Sequence, residues 1–203
     1  MSSVKSRREQ YSEATRAALL ETATWMFAER GFAGTALEDV ATATQVTRGA
    51  VYHHFSSKKA LFEAVFEVME SDAMRRVAEA AAGVADPWES AMVALNEFLD
   101  RCCDPLYGKL VWHEGPVALG WHAWNQCEEK FAYGLVEQML RALVDNGDID
   151  PTPMDTTARF TFSLLGAAGM LLADAGEADK ARVREECAQV MTRLLSGLRP
   201  AAR

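Results

Sequence analysis

The sequence lacks any convincing alternation of apolar and polar residues with the period of a strand, which argues against a sheet protein. It has no uninterrupted apolar run approaching the ~20 residues that span a bilayer. The opening ten residues, Met1 to Gln10, have no apolar core of the kind a secretory signal carries. The expectation is a cytoplasmic protein with no membrane partner. Cysteine is sparse: Cys102, Cys103, Cys127 and Cys187 follow no C-x-x-C spacing and read as reduced thiols, not as a disulfide framework. No nucleophile elbow, glycine-rich phosphate loop, HExxH pair or evident triad spacing is present, so catalysis has no motif to rest on.

Positive charge is also scarce, with a formal net charge of −8, which excludes a general, charge-driven nucleic-acid binder. The charge is unevenly spread. Residues 1–60 hold 8 Lys/Arg against 6 Asp/Glu, a balance of +2, whereas the remaining 143 residues hold 13 against 23, a balance of −10. A local potential steers a polyanion to a surface, so a DNA-reading unit on an acidic body is compatible with the total. The 49% hydrophobic and 25% charged content is that of an ordinary globular chain.

What is there is helix, punctuated by glycine and proline. The pattern predicts an all-α protein of about nine helices: an N-terminal helix-turn-helix domain over residues 1–57 and a helical ligand-binding and dimerisation bundle over 58–203. The first helix is expected from just after Ser12 to about Arg30, with Leu19, Leu20, Ala23 and Phe27 at helical spacing and Gly31 as its stop. Thr35-Ala-Leu-Glu38 has the form of a capping box opening a second helix. A turn at Thr44-Gln45-Val46 leads to a third helix capped by Thr47 and ending near His54, and Ser57 caps a long fourth. Asp86-Pro87 and Asp104-Pro105 each combine a cap with a first-turn proline. The stretch Glu114 to Gly120 is expected to interrupt the chain before a helix at 122–145, and two last helices are expected near 155–174 and 179–197.

Two short helices joined by a three-residue turn match the DNA-binding supersecondary unit, whose second helix enters the major groove. Thr47, Arg48, Tyr52 and His53 offer polar groups there, and Gly49 and Ala50 keep the helix slim for a groove ~12 Å wide. Lys58 and Lys59, in the first turn of the fourth helix, are placed to grip a phosphate. At Gly31 to Ala41, Val46 to Phe55, Ser57-Lys58 and Leu61 the sequence resembles the tetracycline-repressor (TetR) family over about a quarter of the chain. The resemblance implies that Thr35 is a phosphate-contacting cap and Thr47 the recognition-helix cap. It makes Arg48 and His53 base or phosphate contacts, Tyr52 a phosphate contact and Lys58 a phosphate clamp. Thr44-Gln45 stands where the family usually has Ala-Gly, so Gln45 is expected to carry a left-handed backbone at about 1 kcal/mol relative to Gly.

The resemblance also implies a double-stranded DNA operator, a homodimer paired through the last two helices, and a small-molecule effector in the bundle. The face Ala158, Phe162, Leu165, Gly166, Gly169, Leu172 supports the pairing, with Gly166 and Gly169 permitting close approach and Leu194 matching it on the last helix. Aromatic residues crowd the centre of the body, which suits an apolar or aromatic ligand near Phe98, Cys102, Trp112, His113, Trp121 and Met139. No cofactor or metal is required. A thiol or metal sensor built on His113, His122, Cys102, Cys103 and Cys127 is the alternative regulator. An enzyme using His113 and Glu114, and an architectural DNA binder, are the readings from other classes.

Overall fold

The computed structural model describes residues 6–200; Lys5, counted in the N-terminal charge balance, and the chain ends lie outside the described residues. Nine continuous helices and no strand are found among them. Helix α1 (Arg7–Arg30) starts more than a turn before the expected position. Ser6 forms a capping box there: its Oγ accepts from Glu9 N, and its own N–H donates to the Glu9 carboxylate at 2.7 Å. Gly31, at φ 72°, ends the helix as expected.

Helices α2 (Leu37–Ala43) and α3 (Arg48–His54) follow, joined by a turn in which Gln45 adopts φ 58°. Thr47 caps α3 through Ala50 N at 3.2 Å, and Ser57 caps α4 (Lys58–Ala82) through Ala60 N at 3.1 Å. The expected capping box at Thr35 does not form. The N-cap of α2 is Ala36, without a side-chain bond, and Thr35 is only 1% exposed. Its hydroxyl donates to Gly31 O at 2.9 Å and Met26 O at 3.2 Å. The chain leaving the C-terminus of α1 carries carbonyls without helical partners, and the buried hydroxyl, its one proton shared between two acceptors, serves the Gly31 carbonyl at the shorter distance.

Phe27, Phe32 and Phe62 pack as a cluster, with Phe62 edge-on to the other two at 5.1 and 5.5 Å between ring centroids. This core continues along α4 into the body, so the head and the bundle share one hydrophobic interior. The body is α5 (Pro87–Cys103), α6 (Pro105–Leu119), α7 (Trp121–Asp145), α8 (Met154–Asp174) and α9 (Glu177–Ser196). Asp86 and Asp104 cap as expected.

Helix α6 joins Pro105–Tyr107, Gly108–Glu114 and Gly115–Leu119, the middle stretch wound as a π-helix; α7 joins Trp121–Glu128, a second π stretch Glu129–Tyr133, and Gly134–Asp145. The expected interruption from Glu114 is therefore a continuation. Pro116 lies just after the π stretch. The break comes at Gly120, φ 83°.

Candidate nucleic-acid interface and cavity

The outer side of α3 carries Arg48, Gly49, Tyr52 and His53, all exposed. A side chain at Gly49 would meet only the Thr47 hydroxyl, at 3.9 Å, so nothing inside the protein requires glycine there. Arg48 is not free. Its guanidinium stands 3.0 Å from Glu38 on α2, lies over the Tyr52 ring at 5.3 Å and makes a long 3.5 Å bond to the Tyr52 hydroxyl. Glu38 is thus a neighbour of the candidate reading surface that motif reasoning missed, although its place in the first turn of α2 was visible.

Lys58 and Lys59, expected to grip a phosphate, both bond within the protein. Lys58 Nζ donates to Phe32 O at 2.7 Å and Ala33 O at 3.4 Å and sits over the Phe32 ring at 4.5 Å; Lys59 Nζ donates to Leu119 O at 3.0 Å. The physical reason is the same as for Thr35: carbonyls in the turn after α1 need donors, and Lys58 supplies one. Glu114, on α6, accepts from Phe32 N at 2.7 Å. Phe32 is therefore held by its carbonyl from α4 and by its amide from α6, a junction between head and body. Glu114 and His113, considered together for acid–base work, do not act together: His113 is exposed and paired with Asp174 at 2.9 Å.

The body holds an open-sided cavity of about 220 Å³ between α4, α5, α6, α7, α8 and α9. Phe98, Trp112, Trp121 and Met139 line it, as do Trp124 and Leu140. Trp124 packs at 5.7 Å from Trp112 and 4.9 Å from Trp121, and Phe98 meets Trp112 edge-on at 6.4 Å. Two expected lining residues are elsewhere. Cys102 is fully buried outside the lining, and His113 faces solvent. Burial pushes all four thiols up, which suppresses the thiolate a redox sensor needs. No group of three or more metal-ligating side chains gathers among the described residues.

Three of the four expected interface residues lie on the side of α8 that faces the cavity and Trp112. Phe162 and Gly166 line the cavity, and Gly169 is buried against Trp112, where a Cβ would overlap the indole ring. The opposite face of α8 is the exposed one, with Phe160 68% and Leu171 58% accessible and Leu164 between them. Leu194 on α9 is exposed, as is Val190.

Two buried carboxyls escaped the sequence reading. Glu70 on α4 is 0% exposed; its Oε1 accepts from the Tyr107 hydroxyl at 2.6 Å, and its Oε2 has no hydrogen-bond partner. Glu128 on α7, 5% exposed, lines the cavity, and its Oε1 has no hydrogen-bond partner. Burial pushes the Glu70 carboxyl up to about 7 despite the Tyr107 bond. Burial, reinforced by the Glu70 charge, pushes Glu128 well above the usual carboxylate range.

An all-helical chain with a helix-turn-helix head continuous with a cavity-bearing body defines a class of DNA-binding regulators. The comparisons make this specific. Residues 88–198 match the family described as "Tetracyclin repressor-like, C-terminal domain", and residues 19–65 match "Bacterial regulatory proteins, tetR family". The chain belongs to the tetR family of transcription regulators, which bind DNA through an N-terminal helix-turn-helix.

It is similar to the HTH-type transcriptional regulator AcrR of Shigella flexneri, 38% identical over 66 residues, 32% of this chain and 31% of that protein. That regulator and two further curated relatives are matched over only 31%, 30% and 22% of their own lengths. The regulator YfiR of Bacillus subtilis is 26% identical over 77% of this chain and 78% of its own. A crystal structure of a TetR-family transcriptional regulator from Pectobacterium atrosepticum superimposes with TM-score 0.82 and 28% identity, covering 98% of this chain and all of that one.

Proposed function

We propose that this protein is a homodimeric repressor that leaves its DNA operator when a small apolar or aromatic molecule enters the cavity. The observation that carries the proposal is continuity. The cavity is lined from α4 and α6, and the same two helices hold Phe32 of the head through Lys58 and Glu114. A ligand that repositions Trp112 moves Glu114, two residues on, and through it the head.

Arg48, Tyr52 and His53 supply the contacts to DNA, with Thr47 capping the helix that carries them and Gly49 keeping it slim. A single such unit reads few base pairs, so two copies on two half-sites are needed. Helix α8 supports the pairing. Of its 21 residues only Ala158, Ala168, Gly169 and Leu172 are buried. A helix apolar on both faces needs cover on both. The exposed stripe Phe160, Leu164, Leu171, with Val190 and Leu194 on α9, is the face for a second copy. Binding to chromosomal DNA places the protein in the cytoplasm.

The test is footprinting on DNA selected by the full-length protein, followed by a ligand screen on tryptophan fluorescence. A short palindromic footprint, quenching by a ligand and loss of the footprint with that ligand are expected. Unspecific coverage, or quenching without release, refutes the corresponding half of the reading. A monomer at micromolar concentration in ultracentrifugation refutes the dimer.

A further inference from the structure

We propose that the effector is an organic monocation, a protonated amine on an apolar body about the size of one substituted ring, whose ammonium group is taken by Glu128. The inference rests on the reading of the cavity as the effector site and adds the chemical class of the ligand.

The cavity is walled largely by apolar groups, among them Val77, Leu95, Phe98, Met139 and Leu140. A carboxylate in such surroundings is strongly disfavoured unless it is paired. Glu128 has no cation beside it: no Lys, Arg or His lines the cavity, and neither Glu128 nor Glu70 takes part in an ion pair among the described residues. One oxygen of each carboxyl is buried without a hydrogen-bond partner, and native proteins rarely leave such atoms unmet without reason. An N–H donor that also brings positive charge satisfies both demands at once. A neutral donor satisfies only the first, and an anion brings a charge of the sign that this lining already disfavours, with no Lys, Arg or His to balance it.

The aromatic walls favour the same ligand. Trp112, Trp121 and Trp124 lie within one cluster on the cavity, and an indole face attracts a cation more strongly than other rings do. Size sets the rest. A cavity of ~150 Å³ accepts benzene, so about 220 Å³ accommodates a single ring with a short substituent. Asn125, Thr161 and Ser163, also at the lining, supply further polar partners for such a substituent.

The experiment uses the full-length protein and its tryptophan fluorescence, titrated at neutral pH with 2-phenylethylamine, 2-phenylethanol and 3-phenylpropanoate to millimolar concentration. These share a phenyl ring on a short chain and differ chiefly in the charge of the end group. The amine is expected to bind ~10- to 100-fold more tightly than the alcohol, the range of a charged hydrogen bond, with the carboxylate weakest. In Glu128→Gln the amine-over-alcohol preference is expected to collapse toward unity. An alcohol or carboxylate that binds as well as the amine in the wild type overturns the proposal while leaving the cavity reading intact, and this arm needs no variant to fold. Survival of the preference in Glu128→Gln also overturns it. If none of the three alters the fluorescence, the effector-site reading falls and the proposal with it.

Discussion

Replacing Glu70 by Gln tests how the buried carboxyls act on stability. The amide oxygen of Gln keeps the acceptor for the Tyr107 hydroxyl, now 2.6 Å from Glu70 Oε1, but cannot ionise. Burial moves the Glu70 carboxyl from its ordinary 4.5 to about 7, so the folded chain holds that proton more tightly than the unfolded chain does. The resulting stability is complete below 4.5 and is lost as pH rises through 7. Each tenfold in proton affinity corresponds to ~1.4 kcal/mol, which gives about 3 kcal/mol in all and about 2–3 kcal/mol between roughly pH 5 and pH 8. Glu128 is still held up by its burial, and losing the smaller contribution of the Glu70 charge lowers it only in part, which adds to the same trend. Urea unfolding of both proteins across this range, at fixed protomer concentration because dimers gain stability by mass action, measures the difference. The wild type is expected to lose stability relative to Glu70→Gln as pH rises. Parallel profiles for the two proteins refute the account of Glu70 as a buried, proton-holding carboxyl.

Three further substitutions probe other parts of the molecule. Glu38→Gln removes the partner held 3.0 Å from Arg48 and a negative charge beside the phosphates; operator affinity is expected to rise several-fold in low salt and to converge with the wild type in high salt, as gel-shift titrations at two salt concentrations will read. Gly169→Ala drives a methyl into the Trp112 ring; a loss of about 1–3 kcal/mol with a change in tryptophan emission is expected, and an unchanged unfolding midpoint contradicts the packing described. Gln45→Gly releases the left-handed strain at φ 58°, ~1–2 kcal/mol, less the ~0.5–1 kcal/mol of extra freedom that glycine has when unfolded; a gain of ~0.5 kcal/mol in urea unfolding is expected, and a loss contradicts it.

The sequence by itself determined the features that close within a turn or two. Thr47, Ser57, Asp86 and Asp104 cap the helices they precede, Gly31 stops α1, and Gln45 takes the left-handed turn. A cap is satisfied by an amide three residues away, so its chemistry is legible locally. The slim, polar face of α3 was legible for the same reason.

Tertiary structure alone decided the rest. Thr35 and Lys58 have side chains suited to phosphate, yet both turn to carbonyls of the turn after α1, because those groups are buried and need donors. Residues 164–173 of α8 are apolar all round, so their period could not say which face is inward. The Trp112 indole, resting on Gly169, chose the face carrying Phe162 and Gly166 for the interior and left Phe160 and Leu171 for the surface. Glu70 sat in plain view within an apolar stripe between Phe66 and Ala73, a signal that periodicity can catch. Glu128, one of two adjacent glutamates, carried no such mark. Only the packing of α7 against the body showed that Glu128 is buried while Glu129 reaches Arg159, because burial of a charge depends on what surrounds it and not on its neighbours in the chain.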